Sequence, residues 1–153
     1  MNATATPKTY DFPVDVRWVS GKRTVVSVAG KDDLSVATPP EFKGGVEGVW
    51  SPEDLFVGSI ASCFAVTLAG MADRRAIPLR SLTVAGDGVV TQRKDGRFVF
   101  SEVVLHVDLA TYPEFEHDAV EAAHATELGC LVACSVDFPV RLELTVRTLE
   151  PTL

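Results

Sequence analysis

From Leu55 to Ala72 the chain carries no Asp, Glu, Lys or Arg, and Leu55, Phe56, Val57, Ile60, Phe64, Val66, Leu68 and Met71 cover every side of a helical wheel. A helix that is apolar all round is a buried one. Its start is marked by Ser51 as a cap, Pro52 at the first helical position, and Glu53 and Asp54 at the positive end of the helix dipole. Asp54 follows Ser51 by three residues, a capping-box spacing. Ile77-Pro78 ends the pattern near Arg75. Gly, Ser and Thr interrupt the stretch, and it reads as too short for a membrane span. The pattern therefore predicts a central core helix with Cys63 near its middle. A single small sheet cannot cover such a helix on all sides, and a partner chain's helix or sheet would.

Strand-like alternation surrounds this helix. Val14 to Val19 alternates, Gly21-Lys22 turns, and Arg23 to Ala29 returns, which predicts a hairpin. Leu34 to Ala37 is a short third strand, stopped by Pro39-Pro40. Glu41 to Trp50, with Gly44, Gly45 and Gly48, is a loop leading into the helix. Strands over Leu79 to Arg93 and Phe98 to Leu109 flank Lys94-Asp95-Gly96, a hairpin turn. Pro113 opens a second helix to about Leu128, with Phe115, Ala119, Ala122, Ala123 and Leu128 as its apolar face and Gly129 as its stop. Cys130 to Cys134 begins a further short helix, and Phe138 to Arg147 is a closing strand. The order β-β-(β)-α-β-β-α-β predicts an α+β fold, with largely antiparallel sheets around the buried helix. Neither a repeat nor a linker divides the chain, so residues 1–153 read as one domain, with residues 1–12 as a loose tail.

Length and composition narrow the class. A chain of 153 residues, 46% hydrophobic, is sufficient for one real core. A net charge of −7 argues against a general binder of nucleic acid or anionic membrane, so neither is expected as a partner. The N-terminus shows no long apolar segment, and a cytoplasmic location is expected. Three cysteines cannot all pair within the chain. In a reducing compartment they are reactive, metal-binding or buried thiols rather than a disulfide framework.

Each thiol has a bland reading. Cys63 in an apolar helix is core packing unless a base or cation makes it a thiolate. Cys130 follows a helix break, where a new helix N-terminus would lower its pKa. Cys134, four residues on, shares a helical face with Cys130. His106, His117 and His124 complete no zinc spacing with these thiols, and no metal is expected. Glu53 is by default a helix-start residue, and Arg17 and Arg23 are by default solvated strand residues. The chain contains no Ser-His-Asp order, Walker loop or dinucleotide fingerprint, and Gly86-Asp87-Gly88 lacks the helix such a fingerprint requires.

Ser51-Pro52-Glu53-Asp54-Leu55-Phe56, with Ala61-Ser62-Cys63-Phe64 so that Cys63 follows Glu53 by ten residues, resembles the central-helix motif of the OsmC/Ohr family. These are the osmotically inducible and organic-hydroperoxide-resistance proteins. Thr38-Pro39-Pro40-Glu41-Phe42-Lys43-Gly44-Gly45 resembles the family's approach to that helix. Leu128-Gly129-Cys130-Leu131-Val132-Ala133 resembles the Gly-Cys-Pro-Val-Ser of its second cysteine, with Leu131 in place of Pro and Ala133 in place of Ser. The resemblance spans roughly Val16 to Val146. It implies an intertwined α+β homodimer and thiol-dependent reduction of organic hydroperoxides. Cys63 would be the peroxidatic residue and Cys130 the resolving one, with no bound cofactor. An external dithiol, of lipoyl type in Ohr-like members, would restore the thiols. Glu53 matches the family Glu that orients an active-site Arg; Arg23 is the candidate for that Arg, and Arg17 the fallback.

Ten residues at about 1.5 Å each place Glu53 roughly 15 Å along the helix from Cys63. Glu53 would therefore act through an intervening Arg or from a partner chain. Phe56, Ile60, Phe64 and Trp50 are expected to line a pocket for the peroxide's apolar tail. Two other readings stand beside the enzyme. One is a non-catalytic OsmC-like dimer that binds a small apolar ligand. The other is a redox sensor using Cys130 and Cys134, whose one-turn spacing would have to distort to form a disulfide.

Overall fold

The computed structural model describes residues 7–150, which divide into two compact units, one ending at Pro52 and the other beginning at Glu53. In the first unit, β1 (Asp15–Ser20), β2 (Arg23–Ser27) and β3 (Leu34–Ala37) form an antiparallel sheet in that order. Gly21 turns β1 into β2 at φ 50, a conformation that costs a glycine little. The following loop folds back on Pro39: a Cβ at Gly45 would stand 2.0 Å from the Pro39 carbonyl oxygen, so only glycine fits there. The Lys22 ammonium donates to the Lys43 carbonyl and pins the same loop. Residues 1–6 of the expected tail lie outside the described residues, and residues 7–12 are exposed without regular structure.

The second unit carries the central helix, α1 (Pro52–Arg74), which begins at the last residue of the first. The hairpin β4 (Ser81–Gln92) and β5 (Phe98–Thr111) follows, then α2 (Glu116–Gly129) and β6 (Val140–Thr148). Short 3-10 turns over Pro113–Phe115 and Ala133–Ser135 flank α2. The sheet runs β4-β5-β6. The β4–β5 pair is antiparallel, as its turn predicts, but β6 runs parallel to β5. The sheets are largely antiparallel, as expected, and the pairing at this edge is parallel because α2 intervenes. A helical crossover carries the chain back to the end of the sheet where β5 began.

Alternation along β5 is regular from Glu102 to Leu109. Val103, Leu105, Val107 and Leu109 are buried, while Glu102, His106 and Asp108 stand on the other face among Asp87, Glu143 and Arg147. The inward row packs with Ile60, Phe64, Leu68 and Ala72 of α1 and with Ala119, Ala122 and Ala123 of α2 in one core. Helix α1 is thus buried along one stripe and not all round: Val66 is 69% exposed, and Ser59, Ser62 and Ala69 are also exposed. One sheet can cover only one stripe of a helix. Helix α1 has 23 residues and contains an 18-residue window of mean hydropathy 1.9, so by length and composition alone it is long enough to cross a membrane, contrary to the expectation that it is too short. Its apolar stripe is instead occupied by the core of this unit.

Helix α2 ends at Gly129 without a left-handed glycine. The chain leaves through Cys130 in an extended conformation (φ −72, ψ 106), whose N–H donates to the Thr126 carbonyl at 2.8 Å. Leu128 is 85% exposed and takes no part in the apolar face assigned to it from the sequence.

The closeness of α1 to the sheet depends on two glycines. On the inward face of β4, a Cβ at Gly86 would meet Val57 Cγ1 at 2.8 Å. At Gly88 it would meet Val57 Cγ2 at 2.5 Å and Phe100 Cε1 at 2.8 Å. Val57 is β-branched and stiff about χ1, so it cannot swing aside cheaply. Gly88→Ala is expected to lower stability in urea by about 1–3 kcal/mol. A change within about 0.5 kcal/mol would mean that the helix yields freely at this contact.

Candidate thiol site

Three free cysteines lie within the second unit: Cys63 half-buried on α1, Cys130 buried at the end of α2, and Cys134 exposed in the 3-10 turn. The helix presents Cys63 beside the core, and the crossover brings Cys130 to it from 67 residues away. The two thiols are within hydrogen-bonding reach of each other. After Cys130 the backbone makes one tight turn, with Val132 at φ −70 and ψ −43 and the Cys134 N–H donating to the Cys130 carbonyl at 2.9 Å. The first amides of such a turn have no intrahelical acceptor and point outward together. Here the N–H groups of Val132 and Leu131 donate to the Cys63 sulfur, and those of Ala133 and Val132 to the Cys130 sulfur. Successive amides converging in this way make an anion-binding concavity.

The thiols respond in opposite senses. Burial works against ionisation of Cys63. The Val132 amide, the Cys130 thiol, the Thr67 hydroxyl and the Leu131 amide outweigh it, and its pKa is held below the ordinary thiol value. Burial pushes the Cys130 thiol up; the Ala133 amide opposes this, while the hydrogen bond and charge of Cys63 add to the rise. The arrangement makes Cys63 the more acidic thiol of the pair and Cys130 the less acidic one. A helix start at Cys130 was expected to acidify Cys130 itself. The turn does begin there, but Cys130 is too deeply buried to profit, and the lowered pKa belongs to Cys63.

Glu53 lies apart from this pair on the same helix as Cys63, and Arg17, Arg23 and Trp50 belong to the first unit. Glu53 is the second residue of α1, about 15 Å from Cys63 along the helix axis. Its Oε2 is buried without a hydrogen-bond partner, and among the described residues no Arg pairs with it. Arg23 opens β2 in the first unit and is exposed, as is Arg17 on β1; among the described residues neither forms an ion pair. Ile60 and Phe64 do not line an open pocket beside Cys63: they are 0% and 1% exposed and belong to the core. Phe56 stacks with Phe100 and Phe138, with ring centroids 4.7 and 6.0 Å away, and Trp50 lies in the first unit, 54% exposed. A cavity of about 140 Å³ does open on the side of Phe64 that faces Leu105 and Leu142, with Cys134, Glu127 and Arg141 also lining it. Among the described residues no group of three or more His, Cys, Asp and Glu is placed to hold a metal ion.

Two contributors escape a reading of the sequence. Thr67 was findable, since it stands four residues after Cys63 and shares its helical face. The amides of Leu131 and Val132 carry no sequence signal, because every residue but proline has one. Leu131, where the resembling motif has Pro, is what leaves an N–H available at that position.

Comparison with known proteins covers most of the chain. The family described as OsmC-like protein matches residues 45–145. An uncharacterized protein of Bacillus subtilis, YmaD, is 24% identical over 140 residues, covering 88% of this chain and 92% of that protein. An OsmC-like protein of unknown function from Vibrio cholerae superposes with a TM-score of 0.80 at 18% identity, over 90% of this chain and 99% of the other. An organic hydroperoxide resistance protein from Elizabethkingia anophelis gives 0.72 at 23% identity, over 94% and 100%. OhrB, the organic hydroperoxide resistance protein of Bacillus subtilis, gives 0.65 at 21%, over 89% and 98%.

Alkylation by iodoacetamide tests the electrostatics, because only the thiolate reacts. Followed by peptide mapping to separate Cys63 from Cys134, the Cys63 rate is expected to have its midpoint below the ordinary thiol value. Its reactivity should disappear as pH falls through that lowered midpoint. Thr67→Val and Cys130→Ala each remove a donor and should move the midpoint up. A midpoint at or above the free-thiol value, unmoved by Thr67→Val, would mean that burial dominates at Cys63.

Proposed function

We propose a function from one premise: the chain belongs to the OsmC-like protein family. The reading is a thiol-dependent peroxidase that reduces organic hydroperoxides to alcohols. The observation that carries it is the pairing of Cys63 and Cys130 at the turn after α2, in which Cys63 is the more acidic thiol. A thiol that only packs or lines a ligand pocket gains nothing from converging amide donors, so this observation favours the enzyme over a non-catalytic apolar-ligand binder. The names of the Elizabethkingia and Bacillus relatives support the same substrate class.

In the first step the Cys63 thiolate attacks the distal peroxide oxygen. An S–O bond forms, the O–O bond breaks, and the alkoxide takes a proton to leave as alcohol, with Cys63 oxidised to a sulfenic acid. The amides of Leu131 and Val132 stabilise the thiolate before attack. In the second step Cys130, deprotonated on approach, attacks the Cys63 sulfur; the S–S bond forms, the S–O bond breaks, and water leaves. An external dithiol, for which a lipoyl-type compound is the expected choice, then returns both thiols to the reduced state.

Val66, one helical turn from Cys63, and Leu131, whose own amide reaches the Cys63 sulfur, are both 69% exposed. Apolar surface beside the thiol suits a peroxide with a hydrocarbon tail. The uncovered stripe of α1 and the unpaired Glu53 carboxylate suit a homodimer, in which Arg23, or Arg17 in its place, joins Glu53 to complete the cation that the thiolate needs. We place the protein in the cytoplasm, where a dithiol pool can recycle it.

Thiol counting on the purified protein tests this reading. One equivalent of cumene hydroperoxide is expected to remove two thiols rapidly and to yield a mapped Cys63–Cys130 bridge. Cys63→Ser should abolish peroxide consumption, while Cys130→Ser should stop after one turnover with a dimedone-reactive sulfenic acid at residue 63. Cumene hydroperoxide should outpace hydrogen peroxide. Cys63 remaining reduced in the wild-type protein would exclude the peroxidase.

A further inference from the structure

The proposed cycle leaves one thiol unused and one difficulty unsolved. The bridge it forms has Cys130 at one end, which is 0% exposed, and the half-buried Cys63 at the other. Reduction begins with a thiolate reaching one of those sulfurs from outside, so access limits the step. Cys134 is exposed and one turn away from Cys130. Its Sγ lies 3.5 Å from the Leu128 carbonyl oxygen, two residues before Cys130, so its thiol already turns back toward the end of α2. Four residues of helical turn bring the two Cα atoms to about 6 Å, inside the roughly 4.4–6.8 Å range that disulfides use.

We infer that Cys134 is a third redox residue, a relay that takes the disulfide from the buried Cys63–Cys130 pair to the surface as Cys130–Cys134, where an external dithiol reduces it. This rests on the peroxidase reading for the source of the first bridge. The Cys134 thiol gives its proton to solvent, and its thiolate attacks the Cys130 sulfur. The Cys130–Cys134 bond forms, the Cys63–Cys130 bond breaks, and Cys63 departs as a thiolate. One disulfide is exchanged for another, with no net oxidation. One thiolate of the external dithiol then attacks Cys134, releasing Cys130. The second thiol of the reductant closes on the first, releasing Cys134 and an oxidised cyclic disulfide. Direction is favoured at the first exchange, because the more acidic thiol is the better leaving group and the Val132 and Leu131 amides lower the pKa of Cys63. The spacing asks the turn at residues 131–133 to tighten so that the Cβ atoms approach; the segment is short, and its Leu131 side chain lies outside the core.

The test uses diamide as oxidant, so that it does not depend on peroxide turnover. Wild type and Cys134→Ser, whose hydroxyl keeps a donor for the α2 carbonyls, are each oxidised with one equivalent, quenched in acid, alkylated and mapped. Cys130 and Cys134 share the tryptic peptide 98–141 and Cys63 lies in 44–74, so the two bridges differ as an intrapeptide loss of two hydrogens and a cross-link. Wild type is expected to hold both bridges in exchange, with free Cys63 where Cys130–Cys134 has formed. Cys134→Ser should hold the cross-link alone and be reduced by dithiothreitol about tenfold more slowly. Cys134→Ala should match Cys134→Ser. Only the cross-link in wild type, with equal reduction rates in all three proteins, would overturn the relay. A parallel sample given cumene hydroperoxide separates the two ideas. If diamide produces both bridges while peroxide leaves the thiols intact, the exchange stands and the peroxidase reading falls.

Discussion

Helix α1 lies against β4 with no side chain at Gly86 or Gly88 to hold it off, and Val57 occupies the space that a Cβ would take. This close approach sets the depth of everything else on the helix. It sends Ile60, Phe64 and Leu68 into the row of Val103, Leu105 and Val107, and it leaves Cys63 at the margin of that core. A thiol one step deeper would be inert, and one step shallower would lose the backbone amides that reach it. The crossover through α2 is the second constraint, because it returns the chain to the same core at Cys130.

The chemistry at the thiol pair arises from backbone donors shared unequally. The Val132 amide faces both sulfurs, and the Leu131 and Ala133 amides take one each. Burial decides the sense of each shift: the deeper Cys130 has its pKa raised, while at the shallower Cys63 the donors outweigh burial and the pKa is lowered. Each thiol's state therefore reinforces the other's, in the manner of a coupled pair. No cationic side chain is needed for the first measure of acidity at Cys63.

Much of the fold was legible in the sequence because its signals are local. The charge-free run from Leu55 to Ala72, the Lys94-Asp95-Gly96 turn and the alternation from Val103 to Leu109 all lie within one element or its turn. The parallel pairing of β6 was not legible, since partner and direction are chosen by long-range packing. Neither was the one-sided burial of α1: a wheel shows which faces are apolar and not which of them a sheet will meet. At the site, the cysteine positions carried the family resemblance, but the sense of the Cys130 shift did not follow from them. A helix start and a buried position pull a thiol in opposite directions, and only depth settles which prevails. Glu53, named from the same resemblance, stands about 15 Å along α1 from Cys63, and Arg23 belongs to the other unit.

The separation of Cys63 from its donors along the chain has a consequence for synthesis. Cys63 leaves the ribosome 67 residues before Cys130. Until α2 has formed and the crossover has closed, the amides of Leu131 and Val132 are not beside it, and it is an ordinary thiol. Contacts this far apart in sequence form late, because loop closure must come first. The nascent chain thus carries its most reactive residue in an unreactive state, and that residue becomes nucleophilic only once the surrounding structure is complete. The order in which the backbone arrives delays the added acidity of this thiol until the chain has folded.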